Sequence, residues 1–375
     1  MKKKICHITS VHRRYDTRIY SKQAISLVRN GFDVTILVND TLENESRDGV
    51  EIVSLNNIKL GRLNRIRLTK KIFLKKALEI NADVYQIHDP ELIPLGLSLL
   101  KENKTVIFDS HEDFPCQILE KNWIPFPLRK LISIIANSYY RINLKKFSAV
   151  LSVTPHIVDK INHMGANTFM VTNYPELDIE KNFNDRNQYM NREDNLFYLG
   201  TVYNSSQQEN ILESLNRVSD IKYTIVGSID EEYKSQLSKY PAWDKVRFID
   251  FVPRNEVRAI SDIATVALCV FDYSPNLGYN VGTLGSNKLF EYMQSGLPII
   301  CTDFKLWKEN IIDKYNCGIC VNPHDINEIS NAIRYLKNNK EDAFKMGQNA
   351  RRAFVEEFNW ETQASEYIRI INKIL

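Results

Sequence analysis

The chain reads as an α/β protein of two doubly wound, Rossmann-like domains, each a mainly parallel sheet with helices on both faces. Three observations predict this. Short β-branched runs alternate with longer amphipathic ones, which is the pattern of parallel strands joined by helical crossovers. The alternation stops once, in the polar stretch "VTNYPELDIEKNFNDRNQYMNREDN", and then starts afresh. With 375 residues, 43% hydrophobic and 25% charged, the chain is long enough for two cores, and disordered or fibrous classes are excluded.

The first series runs "KICHITS", a helical "RIYSKQAISLVRNG", "DVTILVN", "VEIVSL", a basic helical stretch, "VYQIHD", "ELIPLGLSLLKEN", "TVIFDSH", a further helical region and "AVLSVTP". The second runs "LFYLG", "YTIVG", "VRFIDFV", "ATVALCVF", "LPIICTD" and "GICV", with helices between and three after. Domains at 1–174 and 175–359 follow, with a closing helix at 360–375 returning to the first. Ligands in such sheets bind outside the carboxyl ends of the strands, so a cleft faced by both domains is the expected site.

No apolar run approaches the roughly 20 residues of a membrane span, and the amino-terminal apolar segment is too short for a secretory signal, so a cytoplasmic protein is expected. Six scattered cysteines do not form a disulfide framework, and the lone Cys317/Cys320 pair reads as a turn and a strand residue. The formal charge of +3 hides 26 Lys and Arg against 17 Asp and Glu up to Thr172, then 23 against 29. A basic first half suggests an anionic partner there: a phosphate-bearing substrate, a membrane surface or nucleic acid.

The loop after the first strand, "SVHRRYDTR", contains no glycine, which disfavours a dinucleotide fingerprint and hydride transfer. Arg13, Arg14 and Arg18 there either grip a phosphate or charged sugar, or form an exposed basic turn in which Asp16 caps a helix. His88 and His111 end two further strands; two such histidines at one sheet rim raise the chance that one faces substrate. Glu112 and Asp113, beside His111, fit an acid/base pair or helix-dipole partners. There is no D-x-D, no His/Asp/Glu spacing for a metal, no P-loop and no G-x-S-x-G, so no metal or cofactor is expected. A leaving diphosphate would depend on basic side chains and helix N-termini.

"GSNKLFEYMQSGLPIICTD" predicts a buried helix ending near Gly296, with Pro298 opening a strand. Glu291 is the one acid in its apolar stripe. A helix dipole favours it there; so would the vicinal hydroxyls of a ribose.

This stretch resembles the donor-binding helix of retaining GT-B glycosyltransferases of the family-4 type. "HITSVHRRYDTRIYSKQAISLVRNGFDVTILV" is similar to the start of bacterial members that build cell-surface polysaccharides such as capsules. "VYQIHDPELIPLGL" and "VIFDSHEDFP" look like their middle strands, and "NCGICVNPHDINEISNAI" like their late turn. The resemblance covers nearly the whole chain. It implies a nucleotide-sugar donor, UDP-linked or GDP-linked, held by the second domain, and a glycan or polyprenyl-linked acceptor held by the first. Glu291 would bind the ribose. Gly285, Ser286, Asn287 and Lys288 would face the donor phosphates together with Gly200 and Thr201, Val252 and Arg254 would lie by the base, and His111 near the transferred sugar. Arg14 and Arg18 are expected beside His111 in the catalytic cleft.

Two departures stand out. Family members place an acid eight residues before the ribose-binding Glu, where this chain has Thr283, and a basic pair after the "LFYLG"-type strand, where it has Thr201 and Gln207. The resemblance therefore implies either a metal-independent hexosyltransferase in which Lys288, Arg254 or the first-domain arginines compensate, or a sugar-nucleotide-binding scaffold that has lost turnover. "KLGRLNRIRLTKKIFLKKALE", with eight Lys or Arg, and "WIPFPLRKLISIIANSYY", with Trp123 and Phe126, suggest peripheral contact with anionic lipid at the inner face of the cell membrane. The same charges point less to nucleic acid, since no recognised module accompanies them.

Overall fold

The computed structural model describes residues 2–56, 62–121, 123–178 and 185–375, without the side chains of 62–70, Arg254 and Asn255. The chain divides into two compact units, Met1–Asn173 with Trp360–Leu375, and Tyr174–Asn359. Of the basic stretch 59–79, Arg62–Ile80 is helical, while Lys59, Leu60 and Gly61 and the side chains up to Lys70 lie outside the described residues.

The first unit holds strands β1 (Lys4–Ile8), β2 (Asp33–Val38), β3 (Glu45–Arg47), β4 (Val50–Ser54), β5 (Val84–Ile87), β6 (Thr105–Ser110), β7 (Ala149–Ser152) and β8 (Thr168–Met170). They form one sheet in the order β3-β4-β2-β1-β5-β6-β7-β8, parallel except for the β3–β4 hairpin. The short strands β3 and β8 extend the series read from the sequence.

Successive residues of a strand join different cores. Ile5 and Val84 pack on one face, Cys6 and Tyr85 on the other. Both faces are covered, which is why these strands read as unbroken apolar runs. The Trp360–Ile374 helix helps cover one face with Tyr367, Ile370 and Ile371. It is pinned there by polar contacts: Trp360 Nε1–H donates to Ser26 Oγ (3.0 Å) and the Tyr367 hydroxyl to Gln86 Oε1 (2.7 Å).

The second unit is all parallel, with β9 (Asn195–Leu199), β10 (Lys222–Val226), β11 (Val246–Ile249), β12 (Val266–Cys269), β13 (Ile299–Thr302) and β14 (Gly318–Val321). Its order, β11-β10-β9-β12-β13-β14, reverses direction between β9 and β12. The first sheet reverses between β1 and β5 in the same way. Such switch points open a crevice at the strand ends, because the two neighbouring connections leave in opposite directions. The six cysteines are free thiols, and burial pushes those of Cys269 and Cys317 up to about 12.

Candidate active site

In the second unit, β9 ends at Leu199 and the chain turns through Gly200 at φ +102°, a left-handed conformation that favours glycine. Gly227, after β10, sits so close that a Cβ there would stand 2.3 Å from the Gly200 carbonyl oxygen. Two adjacent strand ends are thus bare backbone. Beside Gly200 lies Lys288, in the first turn of the Asn287–Gln294 helix. Its Nζ stands 5.3 Å from the ring centroid of Tyr198, within β9, and 5.4 Å from that of Phe271, just after β12, the two strands on either side of the switch point.

Among the described residues Lys288 has no hydrogen-bond or ion-pair partner. Burial lowers its ammonium pKa below the ordinary value, and Cys269 and Glu291 offset this only in part. A partly desolvated cation without a counter-ion is disfavoured, and an anion at the same spot would offset that cost. The helix start adds to the attraction: Ser286 makes no side-chain cap, so first-turn amides remain for an anion. Asn287 Oδ1 is buried with no partner among the described residues.

The other expected donor residues belong to the same unit, on this helix and on the loops that follow its strands. Glu291 is half-buried one turn beyond Lys288 on the same helix. The Gly285 amide donates to Thr283 Oγ1 (3.0 Å), and Trp307 Nε1–H to the Thr283 carbonyl (2.6 Å), so Thr283 shapes the entry to the helix. Thr201 Oγ1 meets Ser228 Oγ at 3.1 Å at the ends of β9 and β10. Gln207 takes a left-handed conformation before the Gln208–Leu215 helix and bonds to Asn210. Val252 packs on the core below β11; Arg254 opens the next helix, and its side chain lies outside the described residues.

In the first unit the switch point carries histidines. His7 is the last but one residue of β1, His88 follows β5 and His111 follows β6, on three neighbouring strands. His7 Nδ1 lies 2.9 Å from His88 Nε2, and His88 Nδ1 lies 3.3 Å from His111 Nε2 and 3.5 Å from Asp109 Oδ2. The Asp109 carboxylate can only accept, and His88 Nδ1 faces it, so we assign the His88 proton to Nδ1. His88 Nε2 then accepts from His7, and His7 Nε2, which has no partner among the described residues, is left as a bare acceptor. His111 Nε2 accepts in turn, which places its own proton on Nδ1. Burial pushes His111 down to about 3 and His7 well below its ordinary value, so both are neutral. A neutral imidazole of this kind orients a hydroxyl rather than shuttling protons.

His12 completes the row and has no signal in the sequence beyond its place in the first loop. Its ring stacks on His111 at 5.2 Å, and its nitrogens lie 3.3 Å from Asp16 and 3.3 Å from Asp89. The hydrogen bond to Asp16 outweighs burial and raises its pKa. A cation is therefore favoured directly beside the neutral His111. Asp89 also holds the loop, accepting from the Ser10 amide (2.6 Å) and from the Thr9 and Ser10 hydroxyls (both 3.0 Å).

The expected arginine grip on a phosphate is corrected. Arg14 is buried and donates to both oxygens of Asp40 (2.7 Å each), to the Glu43 carbonyl and to Glu45. Arg18 is buried and bidentate on Asp109, at 3.0 and 2.8 Å. Both guanidinium groups are already neutralised: Arg14 ties the loop after β1 to Asp40 and to the β3 hairpin, and Arg18 ties the Thr17–Ala24 helical segment to β6. The helix-cap reading of this loop holds: Asp16 accepts from the Arg18 and Ile19 amides.

A second correction concerns metal spacing. The fold brings His88, Asp109 and His111 together with ligand atoms within 4.8 Å, although the sequence spacing gave no sign of it. The donor set does not suit a cation. Asp109 already accepts from Arg18, Gln23 (2.7 Å) and Gln86 (3.2 Å), and the Arg18 charge stands against it.

The family model for glycosyltransferase family 4 matches residues 4–172, and that for glycosyl transferases group 1 matches 178–353. The chain belongs to the family-4-type glycosyltransferases. The fold of these glycosyltransferases recurs in sucrose-phosphate synthase from Thermosynechococcus elongatus, which is 15% identical, with a TM-score of 0.74 over 100% of this chain and 99% of that one. It recurs also in Alr3699/HepE of Anabaena, in complex with UDP and glucose: 12% identical, TM-score 0.69, over 99% and 100% of the two chains. Among curated proteins, an MMP α-(1→4)-mannosyltransferase of Mycolicibacterium hassiacum is 27% identical over 85 residues, 23% of this chain. That match spans about a fifth (21%) of the relative's length.

Proposed function

We propose that this protein is a retaining, metal-independent hexosyltransferase. It moves a sugar from a nucleoside-diphosphate sugar, UDP-linked for preference and GDP-linked as the other candidate, to a glycan or polyprenyl-linked acceptor of surface polysaccharide synthesis at the inner face of the membrane. The observation that carries the reading is Lys288: a half-buried ammonium without a hydrogen-bond or ion-pair partner among the described residues, at a helix start and against the glycine end of β9. That is the chemistry a diphosphate requires.

In this reading the diphosphate settles on Lys288 and the free first-turn amides, Glu291 accepts from the ribose hydroxyls, and Thr201 and Ser228 line the strand ends. As the bond to the leaving phosphate breaks, negative charge grows on its oxygen, and Lys288 stabilises it. The acceptor hydroxyl attacks from the same face, which keeps the anomeric configuration. His111 donates from Nδ1 to a sugar hydroxyl and stays neutral throughout. No protein nucleophile is invoked.

The scaffold reading is favoured by one observation: Thr201 and Gln207 stand where family members carry a basic pair, so Lys288 works with less help. Release of free nucleoside diphosphate separates the two. Purified protein is given a panel of UDP- and GDP-sugars with lipid-linked acceptor; release with one donor supports transfer. Thermal stabilisation by a donor without release establishes the scaffold instead.

A further inference from the structure

The Phe126–Asn143 helix is built inside out. The side it turns to the protein carries Ser133, Ala136, Asn137, Tyr140 and Asn143, of which Tyr140 packs on Phe108 and Phe114 and Ser133 donates to the Pro115 carbonyl (2.7 Å). The outward side carries Leu128, Leu131, Ile135, Tyr139 and Ile142, spaced at three, four, four and three residues, so they form one stripe. Leu131, Ile134, Ile135 and Ile142 are 53–63% exposed, and Trp123, just before the helix, is 68% exposed. Such a stripe exceeds the scattered apolar exposure of an ordinary surface and marks a site of contact.

We infer that this helix lies in the interface of an anionic membrane, with its apolar stripe among the lipid chains. The inference deepens the membrane part of the reading above and rests on it only for the acceptor. Charge selects the occupant. From Lys121 to Val158 the chain carries Lys121, Arg129, Lys130, Arg141, Lys145 and Lys146 and not one acid. Lys130 and Arg141 are exposed on this helix, and Lys145 and Lys146 are exposed just after it. Lys130 folds over the Phe126 ring at 4.7 Å, an arrangement in which an aromatic ring and its cation reach the headgroup layer together. A second copy fits worse: a two-fold contact would set this patch against itself and bring cations against cations.

The test is co-sedimentation of the full chain with phosphatidylcholine vesicles, with or without about 30 mol % phosphatidylglycerol, at low and high salt. Binding is expected to the anionic vesicles only. Leu131→Ser/Ile135→Ser/Ile142→Ser should weaken it at least about tenfold at either salt. Lys130→Gln/Arg141→Gln should weaken it about fivefold per cation at low salt alone. All three side chains of the first variant are exposed, so its melting temperature should match the parent; if it does not, Leu131→Ser alone replaces it. Absence of wild-type binding at low salt, or variants that bind as the parent does, overturns the inference. So does a dimer in solution that the apolar variant dissociates, since the occupant is then a second copy. Thermal response to a soluble donor should be unchanged in every variant, so a failed donor reading would be seen separately.

Discussion

A Cβ built on Gly200 would lie 2.9 Å from Lys288 Cε and 3.2 Å from its Nζ, so the glycine and the lysine share one small space at the end of β9. The lysine amine is held over open backbone, with aromatic rings at its sides. Lys288→Met keeps the stem and removes the charge. Its expected effect is a loss of UDP affinity of about 1.5–3 kcal/mol, the range for hydrogen bonds to charged groups, with little change in stability. Titration calorimetry with UDP checks this, and unchanged affinity would remove the diphosphate assignment.

Gly200→Ala tests the other member of the pair. Alanine at φ +102° is strained and its methyl would crowd the flexible end of Lys288. A stability loss of about 1–2 kcal/mol is expected, together with a weakened donor response. Equilibrium denaturation with and without UDP separates the two effects. A variant that binds UDP as tightly as the parent shows that the anion sits elsewhere.

Glu291 was legible as an oddity because it is an acid in a stripe whose neighbours Leu289, Phe290, Tyr292 and Met293 are fully buried. If it accepts from the ribose, Glu291→Gln should weaken UDP binding while leaving the weak binding of inorganic diphosphate unchanged. An equal loss for both ligands points to a helix-dipole role instead.

The two strand series and the donor helix were readable because each is a local pattern, set by period and by turn residues. What could not be read is what parallel pairing brings together. His7 meets His88 across 81 residues and Arg18 meets Asp109 across 91, because β1, β5 and β6 are neighbours in the sheet. No interval in the sequence encodes such distances. The arginines of the first loop were therefore visible as charges, but their partners Asp40 and Asp109 were not.

Those pairings predict that Arg18 and Asp109 are structural. Asp109→Leu leaves a guanidinium buried without its counter-ion and should cost about 3–5 kcal/mol. Asp109→Leu with Arg18→Leu should cost less than either single change, because no charge is left unpaired. Urea unfolding of the four proteins measures the coupling. If Arg18→Leu leaves stability intact and abolishes donor or acceptor binding, the phosphate role regains its place.

The histidine row predicts a stability maximum near the ordinary histidine pKa. His12 has its folded pKa raised above 6.5, so its contribution is fully present below that value and is lost as pH rises through the folded pKa. His7 and His111 have theirs lowered, so their neutral forms favour the folded state above 6.5, and that advantage is lost as pH falls. Between 6.5 and about 5, before most carboxylates titrate, each proton taken up on unfolding should cost about 1.4 kcal/mol per pH unit. Melting temperature against pH should thus fall on both sides. His12→Gln should flatten the alkaline limb alone, and His111→Asn part of the acid limb alone. A profile without a maximum, or one that both variants change alike, would mean that the row does not hold the protons as assigned.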